Sequence, residues 1–274
     1  MDDELPAGPW GVDPHTRSAM RLDKVRAAVN EGDLPLATIE LEELLDEEPH
    51  NHEGLFLLGE ILLEAGDAQM ALLVYERHAE LTGGEPAALQ GLAISRFETC
   101  DVVGALEAAR EVVRLTPDNA EAHYYLGLAL DWIDGQQAGA IQAYAAARQL
   151  DPPSYPYPLD LTNDEWRQAV EAALMRVGDD IRAFWSQVPL RLERRPVLAE
   201  LRKHDPPIPP TVSGIFMGTP PTEEEDLSRR PAGLRLFIDN LSRAPTFDDV
   251  IVAIAETLEQ EALGWQGIDD VELS

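Results

Sequence analysis

Small and apolar residues recur along the first half of the chain with a spacing of 34 residues. Two series carry this period: Leu58-Gly59, Leu92-Ala93 and Leu126-Gly127, and Gly32-Asp33, Gly66-Asp67 and Cys100-Asp101. Apolar residues at helical spacing fill the segments between them, and a fixed period of this length is typical of stacked helix pairs. The pattern predicts four pairs, over 18–51, 52–85, 86–119 and 120–154.

The second half mixes helix and strand patterns. Thr162 and Glu165 form a predicted capping box that opens an amphipathic helix over 163–178. Three short alternating segments predict strands: Val188–Glu193, Val212–Met217 and Leu234–Ile238. Helical spacing then returns over Phe247–Leu263. This order predicts a small α+β domain behind an α-helical one.

Composition places the domain boundaries. Residues 1–17 are rich in proline and glycine, so they are predicted to form a flexible acidic arm without regular helix. Four prolines between Pro152 and Pro158 predict an extended linker. We therefore expect an arm over 1–17, a repeat domain over 18–154, a linker over 155–162 and a second domain over 163–274.

The period and its small residues resemble the tetratricopeptide repeat, most clearly from Asn119 to Pro152. The resemblance implies a solenoid whose binding groove is lined by fixed positions of each first helix. Those positions are Leu22, Phe56, Gln90 and Tyr124; Arg26, Glu60, Ile94 and Leu128; and Val29, Leu63, Phe97 and Asp131. Members of the family that grip a free carboxylate carry Lys and Asn there, so no carboxylate clamp is expected.

The largely apolar groove favours an amphipathic helix or an apolar extended segment of a partner protein. An alternative is that the groove is filled from within the chain. Trp10 of the arm or the second domain would then cover it, and the protein would have a purely structural role.

Charge and composition exclude several classes of function. The chain has 21 basic and 51 acidic residues and a net charge of −30, so nucleic acid and anionic membranes are not expected partners. No segment has the length and apolar character of a membrane span. Cys100 is the single cysteine, and Met1–Leu5 has no secretory signal pattern, so a cytoplasmic protein is expected.

Residues 160–274 resemble a small bacterial zincin-like, minimal matrix-metalloprotease-like domain. The resemblance rests on ordered segments: Asn163-Asp164-Glu165-Trp166, Gly214–Pro220, Leu234–Ile238, Asn240-Leu241 and Gly267–Asp270. Active members carry His-Glu-x-x-His and a third ligand near the end of the last helix, because histidines four residues apart converge on one zinc ion.

The zinc ligands of that family are not present here. Gln260 and Gly264 occupy the two histidine positions, Glu261 the general-base position, Gly267 the glycine position and Asp270 the third-ligand position. A second register, over 255–259, also lacks both histidines, and no histidine follows His204. We therefore expect no cofactor, no metal and no catalytic residue. An all-carboxylate site remains the alternative: Glu256, Glu259, Glu261, Asp269 and Asp270.

These patterns favour a non-catalytic adaptor or regulator, in which the repeats and a pseudo-peptidase domain bind protein partners. The pairing of the two domains resembles bacterial cell-polarity regulators, which implies a small Ras-like GTPase or its regulator as a partner. The alternative is a metal-dependent peptidase with carboxylate ligands and Glu261 as its base. The acidic run over 223–226 is a further candidate for docking a basic partner.

Overall fold

A computed structural model describes residues 14–221 and 229–267 of the chain. The chain divides into two compact units, Met1–Leu150 and Asp151–Ser274. The helices described in the first unit, α1 to α8 in chain order, are Pro14–Glu31, Leu34–Glu47, His52–Glu64, Ala68–Thr82, Pro86–Glu98, Val102–Leu115, Ala120–Asp131 and Gln137–Leu150.

The helices of the first unit form four antiparallel pairs, as the 34-residue period predicts. The turn inside each pair needs a residue in the left-handed region, which Gly32, Gly66 and Gly135 supply with φ of 78°. Cys100 occupies the same turn in the third pair with φ of 67°, and its side chain is buried. The aspartate after each of the first three turns caps the next helix: Asp33, Asp67 and Asp101.

The prediction of an arm without regular helix over 1–17 is wrong for its last four residues. Helix α1 begins at Pro14, so residues 14–17 are helical. Proline is compatible with the first turn of a helix because its missing N–H has no partner there in any case. Residues 1–13, including Trp10, lie outside the described part of the chain.

The second unit combines helices with a small sheet. Its helices, α9 to α13, are Asn163–Arg176, Asp179–Trp185, Leu198–Leu201, Ile238–Leu241 and Phe247–Gln266. Its strands, β1 to β3, are Leu190–Glu193, Gly214–Met217 and Gly233–Phe237. The capping box of Thr162 and Glu165 is present at the start of α9. The predicted order of a helix, three strands and a long helix is confirmed, while the short helices α10 to α12 were not predicted.

The three strands have the order β1-β3-β2. Strand β1 is parallel to β3, and β2 is antiparallel to β3, with Phe216 opposite Leu234. Buried residues of the sheet, α9, α10 and α13 form one core. The indole nitrogen of Trp185 donates to the carbonyl oxygen of Leu258 at 2.8 Å, which ties α10 to α13.

Candidate functional site

The first helices of the repeats form one layer in which α3 contacts α5 and α5 contacts α7. Glycines allow this layer to approach the second helices. A Cβ on Gly59 or Gly91 would lie 2.5 or 2.2 Å from the ring of Tyr75, and one on Gly127 would lie 2.7 Å from Tyr144. Tyr75 is fully buried, so α4 is wedged against both α3 and α5. The sequence pattern identified Gly59 and Gly127 but not Gly91.

We call the solvent side of this layer the first-helix face. Residues on it recur at spacings of three and four, which places them on one side of each helix. The predicted groove residues that are half-buried are Val29, Phe56, Leu63, Gln90, Ile94, Tyr124 and Asp131, whereas Arg26 and Glu60 are exposed.

Three of the predicted groove residues are core residues. Leu22 is 7% exposed, Phe97 1% and Leu128 1%. Leu22 packs with residues of α2 and α3, and Phe97 makes an edge contact with the ring of Tyr125 at 6.2 Å. Their side chains therefore stabilise the array and do not present a surface to a ligand.

Two carboxylates lie on the first-helix face. The hydroxyl of Tyr75 donates to Glu60 Oε1 at 2.5 Å. Burial raises the pKa of Glu121, and the charge of Glu60 raises it further, so the two carboxyl groups interact across the layer. The side chain of Gln90 partly offsets this shift. Neither Tyr75 nor Glu121 was predicted as a site residue. The small residues Gly59 and Gly91 in the first helices on either side could have indicated that Tyr75 packs between them.

Arg26 is engaged by acidic neighbours. Its guanidinium donates to Asp23 at 3.0 Å and also pairs with Glu53. The rest of the first-helix face has apolar side chains on α3 and α5, with an acidic side chain at Glu60 of α3 and another at Glu121 of α7. This arrangement can bind an apolar segment that carries a basic side chain.

The second unit has a cleft of about 290 Å³ between β2 and α13, which we call the edge cleft. Gly214 is needed beside it because a Cβ there would lie 2.8 Å from Thr257 Cγ2. Asn240 holds the opposite wall, since its amide donates to the carbonyl oxygens of Pro210 and Val212 at 2.9 and 2.7 Å. A helix, an edge strand and a fixed loop thus define the cleft.

Two of the predicted vestigial residues, Gln260 and Glu261, line the edge cleft. Gly264 is exposed one turn further along α13. Gly267 ends α13 in the left-handed region with φ of 69°, which gives it a helix-capping role. Asp270 lies outside the described residues, as does the acidic run over 223–226.

Glu261 is the chemically distinctive residue of the edge cleft. Its Oε2 accepts a hydrogen bond from the backbone N–H of Phe216 in edge strand β2 at 2.6 Å. Burial raises the pKa of Glu261 to about 7, although this hydrogen bond acts in the opposite direction. A carboxyl group with this pKa gains and loses a proton near neutral pH. Glu261 also occupies the backbone N–H of Phe216, which a strand added at the edge of the sheet would need as a hydrogen-bond donor.

Metal-ligating residues do not gather in the part of the chain that is described. The rings of His52 and His78 lie 6.1 Å apart, and His78 Nε2 is 2.8 Å from Glu85. Within residues 14–221 and 229–267, no three His, Cys, Asp or Glu side chains are placed to hold a metal ion. None of the helices in those ranges is long and apolar enough to cross a membrane.

Comparison with known sequences matches the helical repeats. Residues 22–86 and 92–155 match the sequence model of the tetratricopeptide repeat, so these segments are tetratricopeptide repeats. Solved structures of MamA are similar to part of the chain. MamA 41-end from Desulfovibrio magneticus RS-1 is 24% identical, with 62% of this chain and 89% of that chain covered and a TM-score of 0.46. A crystal structure of MamA protein is 24% identical, with 49% of this chain and 73% of that chain covered and a TM-score of 0.45. No curated protein matches the chain.

Proposed function

We propose that the protein is a non-catalytic adaptor whose repeats bind a partner protein through the first-helix face. The observation that carries this proposal is the row of partly exposed apolar side chains on three adjacent first helices, represented by Phe56, Ile94 and Tyr124. Tetratricopeptide repeats use such surfaces to bind peptides and helices. The carboxylates of Glu60 and Glu121 favour a partner segment with at least one lysine or arginine.

The proposal is tested by affinity capture from the native cell with two variants of equal charge. Phe56→Glu with Ile94→Glu adds charge to the first-helix face. Met175→Glu with Val197→Glu adds the same charge at apolar residues of the second unit that are 71% and 52% exposed. We expect the first variant to lose a specific partner and the second to retain it, with helix content unchanged by circular dichroism. Retention of every partner by both variants would contradict the proposal.

We infer that the edge cleft of the second unit binds a further segment of a partner. Its volume of about 290 Å³ and the protonatable Glu261 support this inference. The interpretation of this unit as a zincin-like pseudo-peptidase rests on the sequence resemblance and on Gln260 and Gly264 in the histidine positions. Gln260→Trp fills the cleft from an exposed helix position, so loss of a partner in this variant alone would assign that partner to the edge cleft.

The predicted partner class, a small Ras-like GTPase or its regulator, rests on the sequence resemblance alone. The capture experiment tests it directly. We expect the wild type to capture such a protein. We expect its loss either in Phe56→Glu with Ile94→Glu or in Gln260→Trp. Recovery of an unrelated partner through the same face would keep the adaptor role and overturn the GTPase hypothesis.

One observation favours a second function. A buried carboxyl group with a pKa of about 7 inside a cleft is suited to general acid–base chemistry, which a peptidase with Glu261 as base would need. Chelator-sensitive cleavage of a peptide library that disappears in Glu261→Gln would establish this function. Absence of cleavage with added zinc, magnesium or calcium would leave the adaptor function.

A further inference from the structure

A second cleft lies between the second helices of the first two repeats. Its walls are α2 and α4, its floor is part of α3, and its volume is about 480 Å³. We call it the outer cleft; its apolar lining includes Leu45, Leu58, Leu73 and Val74. With about 3.6 residues per turn, Leu55 and Leu58 point in a mean direction about 120° around α3 from that of Phe56 and Leu63. The outer cleft is therefore separate from the first-helix face.

Large apolar side chains around the outer cleft are unusually exposed. Leu73 in the lining of the outer cleft is 58% exposed, and Met70, one turn earlier on the same helix, is 47% exposed. The repeat does not require an apolar residue here, because Glu107 occupies the position of Leu73 in the next repeat and is exposed. A contiguous exposed apolar patch with charged residues at its rim is typical of a protein interface.

The charges at the rim are not neutralised within the described chain. Glu42 and Asp46 lie four residues apart on one wall of the outer cleft, and Arg77 lies on the other. The described part of the chain gives none of these three side chains an ion pair or a hydrogen bond. By contrast, Glu40 of the same helix pairs with Arg21 and Lys24. Like charges at this spacing repel one another, so a cation from outside would relieve the repulsion at Glu42 and Asp46.

We propose that the outer cleft docks an amphipathic helix of another protein. An apolar side chain of that helix enters between Leu45 and Leu73, and a lysine or arginine beside it meets Glu42 and Asp46. An acidic residue on the opposite flank of the helix meets Arg77. A second copy of this chain is disfavoured as the occupant because two molecules with a net charge of −30 repel each other.

Short synthetic amphipathic helices test this site on the full-length protein. All share one leucine-rich face; one carries lysine on the flank that would meet α2, and a matched peptide carries glutamate there. Fluorescence anisotropy measures their binding to the wild type, to Leu73→Glu and to Glu42→Lys with Asp46→Lys. We expect the lysine peptide to bind the wild type and to lose about tenfold or more in affinity with either variant. The glutamate peptide is expected to bind the double-lysine variant best.

Two control variants distinguish binding in the outer cleft from a general charge effect and from binding to the first-helix face. Asp160→Lys with Glu171→Lys makes the same change in net charge at exposed residues of the second unit, and Phe56→Glu with Ile94→Glu changes the first-helix face. We expect the first control to bind the lysine peptide like the wild type. In the Phe56→Glu with Ile94→Glu background, where the first-helix face no longer contributes, we expect Leu73→Glu to weaken the remaining binding by about tenfold or more. Equal binding of both peptides, loss of binding in Asp160→Lys with Glu171→Lys, complete loss of binding in Phe56→Glu with Ile94→Glu, or no binding at all would overturn the proposal. A concentration-dependent dimer that Leu73→Glu abolishes would overturn it in favour of a second copy.

Discussion

Replacing Glu261 by glutamine should stabilise the second unit above neutral pH. Burial favours the uncharged carboxyl and raises the pKa of Glu261 from 4.5 to about 7. Its contribution to stability is therefore fully present below the unfolded pKa of 4.5 and is lost as the pH rises to about 7. A shift of this size corresponds to about 3 kcal/mol at most, of which about 2 kcal/mol is lost between pH 5 and pH 8. Glutamine retains an acceptor for the N–H of Phe216 but cannot ionise.

The assay is urea unfolding of the full chain at about pH 5 and about pH 8, followed by tryptophan fluorescence. Phe in place of Trp10 and Trp132 confines the signal to the second unit, where the remaining three of the five tryptophans lie. The wild type should lose more free energy of unfolding than Glu261→Gln between the two pH values, by about 2 kcal/mol. Equal pH dependence of the two proteins, or a less stable variant at pH 8, would refute the assigned environment of Glu261.

Other predictions concern the repeats and the metal-free interpretation. Gly91→Ala places a methyl group against the ring of Tyr75 and should lower the free energy of unfolding by about 3 kcal/mol or more. In Gly139→Ala the new Cβ lies 3.4 Å from the nearest atom, in Leu130, so its stability in thermal melts should stay within about 1 kcal/mol of the wild type. Thr162→Ala removes the capping box of α9 and should cost about 1 kcal/mol in urea unfolding of the second unit. Elemental analysis should find no stoichiometric zinc, and EDTA should leave the unfolding midpoint unchanged; a midpoint lowered by EDTA would contradict the metal-free interpretation.

The helix pairs were predictable because their signal is local and repeated. The 34-residue period places the helix pairs, and Asp33, Asp67 and Asp101 mark the starts of α2, α4 and α6. The start of α1 was misplaced because proline-rich composition suggested an irregular arm, while Pro14 itself is compatible with the first helical turn. Composition averages over the whole segment, so it does not show that a single residue, Pro14, begins a helix.

The surfaces were less predictable because exposure depends on neighbouring elements. The family resemblance placed Phe97 and Leu128 on the binding side of their helices, yet both side chains are buried. Neither the resemblance nor the period indicated that Leu73 would be 58% exposed beside a cleft. The position of Glu261 followed from a motif, but its raised pKa depends on burial beneath β2, which no local pattern encodes.

Site-specific photo-crosslinking in the native cell measures whether a partner protein binds the first-helix face. A benzophenone amino acid replaces Tyr124 on that face in one protein and Met175, which is 71% exposed in the second unit, in another. We predict one specific crosslinked protein from position 124 and none of the same mass from position 175. Absence of a product from position 124, or the same products from both positions, would mean that no partner binds specifically at this face.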